Sequence, residues 1–156
     1  MPSRRAEIAL TPEEQRMMIE EEGWTLQVAS IGPKGYPHLV AMWYVVDDDG
    51  TIVFTTYGRS QKVLNLRRDP KMTVMLEFGK KYEELRGLVI EAEAEIIEDP
   101  QYTAKVMAKV AHKYSGIPIP TDTPEAALKA ASKRVTVRVK PVDLYSWDHR
   151  KLGGRY

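Results

Sequence analysis

The stretch from residue 51 to residue 70 constrains the fold most, because it combines a strand, a tight turn and a short basic helix. Residues 51–57 (TIVFTTY) are rich in β-branched and aromatic side chains, which suit a half-buried strand. Ser60 supplies an N-cap, an apolar helical stripe follows, and Asp69-Pro70 ends the helix because the residue before proline avoids the α region.

The start of this helix is a candidate anion-binding site. A helix N-terminus leaves backbone N–H groups unpaired and carries a partial positive charge, so it attracts phosphate or carboxylate. Arg59 and Lys62 flank that end, and Asn65 lies one turn after Lys62 on the same face. The alternative interpretation is a capped surface helix whose basic side chains only face solvent.

Length and charge exclude several classes of protein. The 156 residues suit a single domain with one core. The chain has 23 Lys and Arg against 22 Asp and Glu, a net charge of +1. It therefore lacks the strong positive charge that is typical of proteins that bind nucleic acids or membrane surfaces.

The absence of cysteine excludes disulfides, thiolate metal sites and a cysteine nucleophile. With neither a signal-peptide core nor a membrane span, we predict a cytoplasmic, soluble protein.

The order of the predicted elements indicates an α+β fold with an antiparallel sheet that closes into a barrel. Strands are predicted over residues 24–31, 38–46, 51–57, 72–78, 88–97 and 135–140. Helices are predicted over residues 11–22, 60–69, 99–114 and 125–133. Short turns join consecutive strands and the helices are inserted rather than alternating, which fits parallel doubly wound folds poorly.

The segment 38–46 (HLVAMWYVV) is nearly all apolar instead of alternating, which predicts a strand with both faces covered. One face belongs to the core. The other meets a partner chain, another element or an apolar ligand, with Trp43 and Tyr44 as the large groups that line it. For Trp43, core packing or a subunit interface is the alternative to a ligand contact.

Conventional catalytic motifs are absent from the sequence, which has no serine elbow, Walker loop or GxGxxG. No metal site is predicted, because His38, His112 and His149 lack metal-ligand spacing and the glutamates of residues 88–97 form a solvated strand face. Such a chain can still be an enzyme if a bound cofactor carries the chemistry. A ring-bearing phosphate ester would place its phosphate on Ser60 and Lys62 and its ring near Met42 and Trp43.

Four segments, residues 24–46, 51–77, 88–97 and 143–154, resemble in this order the flavin and deazaflavin split-barrel oxidoreductases. This superfamily includes the pyridoxamine 5'-phosphate oxidase-like proteins. Lys62, Asn65 and the RRDP sequence at residues 67–70 are similar to the branch that uses the deazaflavin coenzyme F420. The resemblance implies a six-stranded antiparallel split β-barrel of the FMN-binding type, with three to four helices.

The resemblance also implies a homodimer with the cofactor at the subunit interface. The ring would contact Val40, Ala41, Met42 and Trp43, the phosphate side would contact Thr55, Arg59, Ser60, Lys62 and Asn65, and Trp147 and Arg150 would reach the site from the same or the other subunit. Many relatives have a basic residue where this chain has Ser60, so Arg59 is the candidate substitute.

The activity implied by the resemblance is hydride transfer from reduced F420 to an unsaturated small-molecule acceptor, such as an enone, a quinone or a tetrapyrrole-like compound. One alternative is an FMN-dependent oxidoreductase of the same fold. Another is a non-enzymatic flavin- or haem-binding barrel. F420 has an anionic oligoglutamyl tail beyond its phosphate, for which Lys80, Lys81 and Arg86 are candidate contacts.

Overall fold

A computed structural model describes residues 3–155 of the chain. The α-helices are α1 (Arg4–Ile8), α2 (Pro12–Met17), α3 (Gln61–Arg68), α4 (Pro100–Ser115) and α5 (Glu125–Ala131). The strands are β1 (Leu26–Ile31), β2 (Pro37–Met42), β3 (Val45–Val46), β4 (Ile52–Tyr57), β5 (Lys71–Phe78), β6 (Arg86–Ile97) and β7 (Arg134–Asp148). A π-helical turn (Met18–Glu22) follows α2, and 3₁₀ turns occur at Tyr82–Glu84 and His149–Leu152. None of the helices within residues 3–155 is long and apolar enough to cross a membrane.

All seven strands form one antiparallel sheet in the order β2-β1-β5-β6-β7-β4-β3. The strands β2 and β3 lie at opposite edges of this sheet, yet only Trp43 and Tyr44 separate them along the chain. Three Cα–Cα steps span about 11 Å at most, so the two edges must approach each other. The sheet therefore curls into an open barrel, and the fold is α+β.

The sheet has seven strands where the sequence predicts six, because the predicted strand 38–46 is interrupted at Trp43 and Tyr44. At the interruption, the backbone N–H of Tyr44 donates to the hydroxyl of Tyr114 at 3.1 Å, and Lys113 Nζ donates to the Tyr44 carbonyl at 3.2 Å. Contacts with α4 thus replace strand pairing at Tyr44.

Five α-helices are present where three to four were predicted, and the additional one is α1. Its N-cap is Ser3, whose hydroxyl accepts the Ala6 N–H at 3.3 Å. None of its residues is buried, so α1 has no apolar stripe that the sequence pattern could reveal.

The last strand is longer than predicted, because β7 extends to Asp148 rather than ending at residue 140. Its pairing with β6 shifts register between Glu91 and Ala92, next to Pro141. Proline cannot donate to a strand ladder and is typical of such bulges. The bulge breaks the alternating pattern, which explains why the sequence predicts two separate segments.

The barrel interior is the main core, and the predicted period-two patterns are confirmed there. Met72, Val74 and Leu76 of β5 are buried on one face, as are Ile90 and Ala92 of β6. The largest of the fully buried side chains are Tyr44, Phe54, Met18, Leu26 and Leu88. Helix α3 closes one end of the barrel with Val63 and Leu66, whereas α4 covers a smaller outer cluster of Val45, Val53 and Val106.

The outward face of β2 is exposed in the single chain. Leu39 is 66% exposed, and Ala41 is exposed as well. Trp43, directly after β2, is 51% exposed although its ring contacts Tyr114 of α4. Because a partner chain or a ligand was among the predicted covers, the covered outer face stays a prediction.

Candidate functional site

The turn between β4 and α3 forms the centre of the candidate site. Ser60 N–H donates to the Tyr57 carbonyl at 3.0 Å, which closes the turn, and α3 begins at the next residue. The backbone of Ser60 has the extended conformation of an N-cap, as predicted, but its hydroxyl makes no capping hydrogen bond. That hydroxyl lies 3.4 Å from the hydroxyl of Thr56 instead. The first turn of α3 therefore has N–H groups without a side-chain cap.

Lys62 provides the positive charge of this site. Its ammonium is partly buried and donates to Thr56 Oγ1 at 3.0 Å. Burial lowers the pKa of Lys62 below its ordinary value, and no carboxylate in the described part of the chain offsets this effect. A partly desolvated ammonium bound only to a hydroxyl is a strong candidate for pairing with an anion.

Asn65 is fully buried, which differs from its predicted role as a phosphate contact. Its Nδ2 donates to Ser30 Oγ at 3.0 Å, and its Oδ1 accepts from Gln61 Nε2 at 2.8 Å. The Nδ2 contact attaches α3 to β1, whereas the Oδ1 contact lies within α3. The structure gives Asn65 a supporting position behind the start of the helix rather than an exposed one.

Thr56 contacts Lys62, whereas Thr55, the predicted cofactor contact, lies on the other face of β4. Neighbouring strand residues point to opposite faces, so Thr56 shares the core face with Phe54 while Thr55 shares the outer face with Val53. Sequence reasoning missed Thr56, although the buried pattern of β4 contains the signal: residues 52, 54 and 56 lie on one face.

Arg59 is exposed and lines a cavity of about 660 Å³ beside the turn. The other wall of this cavity contains Lys133 and Arg134 at the start of β7. The guanidinium of Arg134 lies 4.2 Å from the ring centre of Tyr57. Basic side chains from two distant parts of the sequence therefore meet next to Ser60.

His38 is a further polar residue at the same end of the barrel. It pairs with Ser30 across β1 and β2, and Ser30 in turn holds Asn65. Its Nδ1 atom is buried and has no hydrogen-bond partner within residues 3–155. A buried polar atom without a partner costs about 1–3 kcal/mol, so a polar ligand group or a water molecule is expected there. The sequence suggests only a partly buried, hydrogen-bonded histidine at this position.

The segment Val40–Trp43 runs from His38 toward the opposite end of the barrel. Because β2 is an edge strand, alternate backbone N–H and C=O groups along it have no strand partner. Val40 and Met42 pack partly against the core, whereas Ala41 and Trp43 point outward. An extended ligand anchored at α3 can lie along this edge.

Trp147 and Arg150 lie far from Lys62 within one chain. Val135 pairs with Thr56, whereas Trp147 pairs with Gly87, so the two positions on β7 are about 40 Å apart along the strand. The Trp147 ring packs flat on Gly87, where an added Cβ would lie 2.1 Å from the ring. Arg150 forms an ion pair with Asp148 at 2.7 Å.

The chemistry available at the α3 end is anion binding rather than acid–base or metal catalysis. It offers an ammonium, two hydroxyls and uncapped N–H groups, contributed by Lys62, Thr56, Ser60 and the first turn of α3. Within residues 3–155, no group of three or more His, Asp or Glu side chains is arranged to hold a metal ion. Such a site binds and orients a cofactor that supplies the reactivity.

Comparison with known proteins identifies the family. The sequence profile of the pyridoxamine 5'-phosphate oxidase family matches residues 10–148. The chain belongs to this family. None of the curated proteins matches the chain.

Solved structures related to the pyridoxamine 5'-phosphate oxidase family resemble this chain along most of its length. A conserved hypothetical protein from Mycobacterium tuberculosis is 40% identical, with a TM-score of 0.87, and the match covers 99% of this chain and 95% of that one. An F420 reductase is 24% identical, with a TM-score of 0.63, over 82% of this chain and 94% of its own. HutZ, a haem storage protein from Vibrio cholerae, is 18% identical, with a TM-score of 0.65, over 88% and 96%. The latter two share the fold.

Proposed function

We propose that this protein is an oxidoreductase that uses reduced coenzyme F420 to transfer a hydride to an unsaturated small-molecule acceptor, such as an enone, a quinone or a tetrapyrrole-like compound. The observation that carries this proposal is the partly buried ammonium of Lys62, which has no carboxylate partner and lies beside the uncapped start of α3. When bound, the deazaflavin supplies the hydride. The protein supplies the anchor for its phosphate and the orientation of its ring.

Three features of the chain suit that task. Lys62 and the Ser60 hydroxyl would hold the phosphate, and Thr56 positions the lysine. The free Nδ1 of His38 would accept or donate a hydrogen bond to the polyol between phosphate and ring. The unpaired backbone groups along the edge strand β2 would orient the ring.

The basic cavity beside Arg59 favours F420 over FMN. F420 continues beyond its phosphate with an anionic oligoglutamyl tail, whereas FMN ends there. Arg59, Lys133 and Arg134 line the cavity, and none of them pairs with a carboxylate of the described residues. The remaining charges of the cavity, Arg67 and Glu98, pair with each other. Lys80, Lys81 and Arg86 lie at the Trp147 end of the sheet, so they suit the tail less well.

We further propose that two copies of the chain form a homodimer with the cofactor at their interface. A groove of about 580 Å³ on the outer sheet face is lined by apolar side chains that include Leu39, Met75, Val89 and Tyr145. Pairing of this face in two copies would bring Trp147 and Arg150 of one copy toward β2 of the other. A complete site would then require both copies.

FMN is the second candidate cofactor, because proteins of this family typically bind flavins and the Lys62 cradle suits any phosphate ester. Haem is a further candidate. It needs an axial ligand from His38, His112 or His149, and the Nδ1 contacts of His112 and His149 with backbone carbonyls at 3.1 and 2.7 Å leave Nε2 available.

Titration of F420 and FMN into wild type and two variants tests the proposal. We expect Lys62→Ala to weaken both cofactors by about 1.5–3 kcal/mol, the usual contribution of a charged hydrogen bond. Lys133→Gln should weaken F420 while leaving FMN unchanged, because only F420 has the anionic tail. Calorimetry gives the affinities, and oxidation of reduced F420 by a naphthoquinone or an enone gives the activity.

Lys105→Ala is the matched control, because Lys105 is exposed on α4 and does not line the cavity beside Arg59. Its affinities should equal those of the wild type. The proposal is wrong if the wild type binds neither cofactor, or if Lys62→Ala binds both as tightly as the wild type.

A further inference from the structure

An aromatic cluster lies where residues 43 and 44 connect β2 to β3 and close the barrel. This is the end of β2 that is farther from α3. The indole of Trp43 stacks on the phenol ring of Tyr114, with 4.4 Å between ring centres and 7° between planes. The indole of Trp24 meets the same phenol edge-on at 4.8 Å and 62°. Tyr114, near the end of α4, therefore contacts both Trp24, which precedes β1, and Trp43, which follows β2.

The cluster is fixed by hydrogen bonds as well as by ring contacts. The Tyr114 hydroxyl donates to the Trp24 carbonyl at 2.6 Å and accepts the backbone N–H of Tyr44 at 3.1 Å. Tyr44 is fully buried, and its hydroxyl donates to the Ile19 carbonyl at 2.6 Å. Because the rings are already ordered, a ligand that stacks on them loses little conformational entropy of the protein.

Both indoles nevertheless keep an open face. Stacking on Tyr114 covers one face of Trp43, yet 51% of this residue remains exposed, so its opposite face is bare. Trp24 is 56% exposed. A cavity of about 370 Å³ opens beside Trp24 and is also lined by Thr25, Gln27, Glu77 and Phe78, and its volume suits a small molecule.

The charged side chains beside the aromatic cluster restrict which ligands can bind to it. The ammonium of Lys113 lies 3.8 Å from the ring centre of Tyr44 and 5.0 Å from that of Tyr114. Because this cation lies next to the rings and the Glu77 carboxylate lines the cavity beside Trp24, an uncharged aromatic ligand suits the surface better than a cationic or an anionic one.

We infer that Trp24 and Trp43 form the platform on which a planar, conjugated, uncharged acceptor stacks, with Tyr114 as the positioning residue. This inference rests on the proposed function, because the acceptor must approach the cofactor ring along β2. The outward row Leu39, Ala41 and Trp43 connects the two positions. A flat quinone matches the platform, whereas a flexible aliphatic enone does not.

Tryptophan fluorescence measures acceptor binding without requiring turnover. The chain has three tryptophans, and Trp147 borders a groove that shares Gln27, Glu77 and Phe78 with the cavity beside Trp24, so it remains a reporter near the platform. A naphthoquinone titrated into the wild type should quench emission to saturation. In Trp24→Leu/Trp43→Leu, which removes both stacking rings, the half-saturating quinone concentration should rise at least tenfold. An unchanged half-saturating concentration in the double variant would overturn the inference.

Kinetics test the positioning role of Tyr114. Tyr114→Leu removes the stack and should raise KM for the naphthoquinone about tenfold, the effect expected from one lost aromatic contact. Neither the F420 dissociation constant nor KM for a non-planar enone should change. Tyr114→Phe keeps the ring and should retain most of the quinone affinity, which controls for misfolding together with the melting temperature.

The outcomes separate this inference from the proposed function. Tight F420 binding with unchanged quinone KM in Tyr114→Leu would refute the platform alone. Loss of F420 binding in the wild type would refute the proposed function, whatever the quenching shows. Quenching that depends on protein concentration instead of quinone would make the cluster an interface between copies and would also overturn the inference.

Discussion

The candidate site depends on single residues whose roles follow from their surroundings more than from their type. Lys62 is partly buried beside a hydroxyl, and burial keeps its pKa below the ordinary value. Asn65, one turn further along α3, is completely enclosed and supports the helix. Two polar residues of one helix thus differ in function because only one of them remains accessible to a ligand.

His38 is expected to report directly on cofactor binding. If its free Nδ1 meets the polyol of F420, the ¹⁵N resonances of its imidazole should shift when F420 is added. His112 and His149 are internal controls, because their Nδ1 atoms already contact the carbonyls of Ile117 and Tyr82. Nitrogen-detected NMR on the labelled protein measures all three. A cofactor-saturated protein with an unshifted His38 would contradict the prediction.

At the scale of elements, α4 is held on the barrel by a polar network as well as by its apolar face. The carboxylate of Asp47, between β3 and β4, accepts from Arg138 Nη1 at 2.8 Å, from Lys109 Nζ at 3.4 Å and from the Tyr102 hydroxyl. Burial acts to raise the pKa of Asp47, but the hydrogen bonds from Tyr102 and Lys109 outweigh it and keep the pKa below 3.8. The network positions α4, and therefore also Tyr114 over the barrel closure.

Asp47→Asn is expected to lower the free energy of unfolding by about 2 kcal/mol at pH 7, because it leaves Arg138 partly unpaired in a largely buried position. The folded pKa of Asp47 lies below its unfolded value of 3.8, so its contribution is complete above that pH and is lost as the pH falls through the folded value. Urea denaturation of both proteins at pH 7 and pH 3 measures this difference.

The difference between wild type and Asp47→Asn should therefore shrink at pH 3. Asp122→Asn, in the exposed segment between α4 and α5, should leave the unfolding free energy unchanged at both pH values. A pH-independent difference for Asp47→Asn would show that the lost geometry of the carboxylate matters more than its charge.

At the scale of the whole molecule, the residues assigned to the proposed site lie at the two ends of β7. The α3 end holds the phosphate cradle, whereas Trp147 and Arg150 lie at the other end of β7. On the outer face of the curled sheet, Tyr145 is 47% exposed and lies opposite Val89 in an apolar groove. An apolar sheet face of this kind is typical of an interface.

Tyr145→Glu is expected to convert the proposed homodimer into monomers, because it places a charge in the outer groove. F420 affinity should fall at least tenfold although every residue of the α3 end is intact, since about 1.4 kcal/mol of contacts from the second copy would be lost. Sedimentation equilibrium and cofactor titration measure the two effects.

Ile119→Glu is the control, because Ile119 is 51% exposed in the segment between α4 and α5, away from the groove. It should remain dimeric and bind F420 normally. A wild type that is monomeric at micromolar concentration, or a monomeric Tyr145→Glu that binds F420 as tightly as the wild type, would contradict the dimeric site.

Much of the local structure could be predicted from the sequence, including the capping box of α2, the unit of β4, turn and α3, and the inward faces of β5 and β6. The absence of cysteine and of catalytic motifs also predicted that any chemistry would come from a bound cofactor. The positions of Thr56, His38 and Tyr114 could not be predicted, because each acquires its neighbours across strands or from a distant helix.

By itself, the sequence determined most of the helices and strands and the grouping of Arg59, Ser60 and Lys62 at the start of α3, because both depend on residues within a few positions of one another. Only the tertiary structure decided that residues 38–46 break where the barrel closes, that Asn65 is enclosed, and that Trp147 lies far from Lys62. Those outcomes depend on strand register and on long-range contacts, which a period-two or helical pattern leaves undetermined.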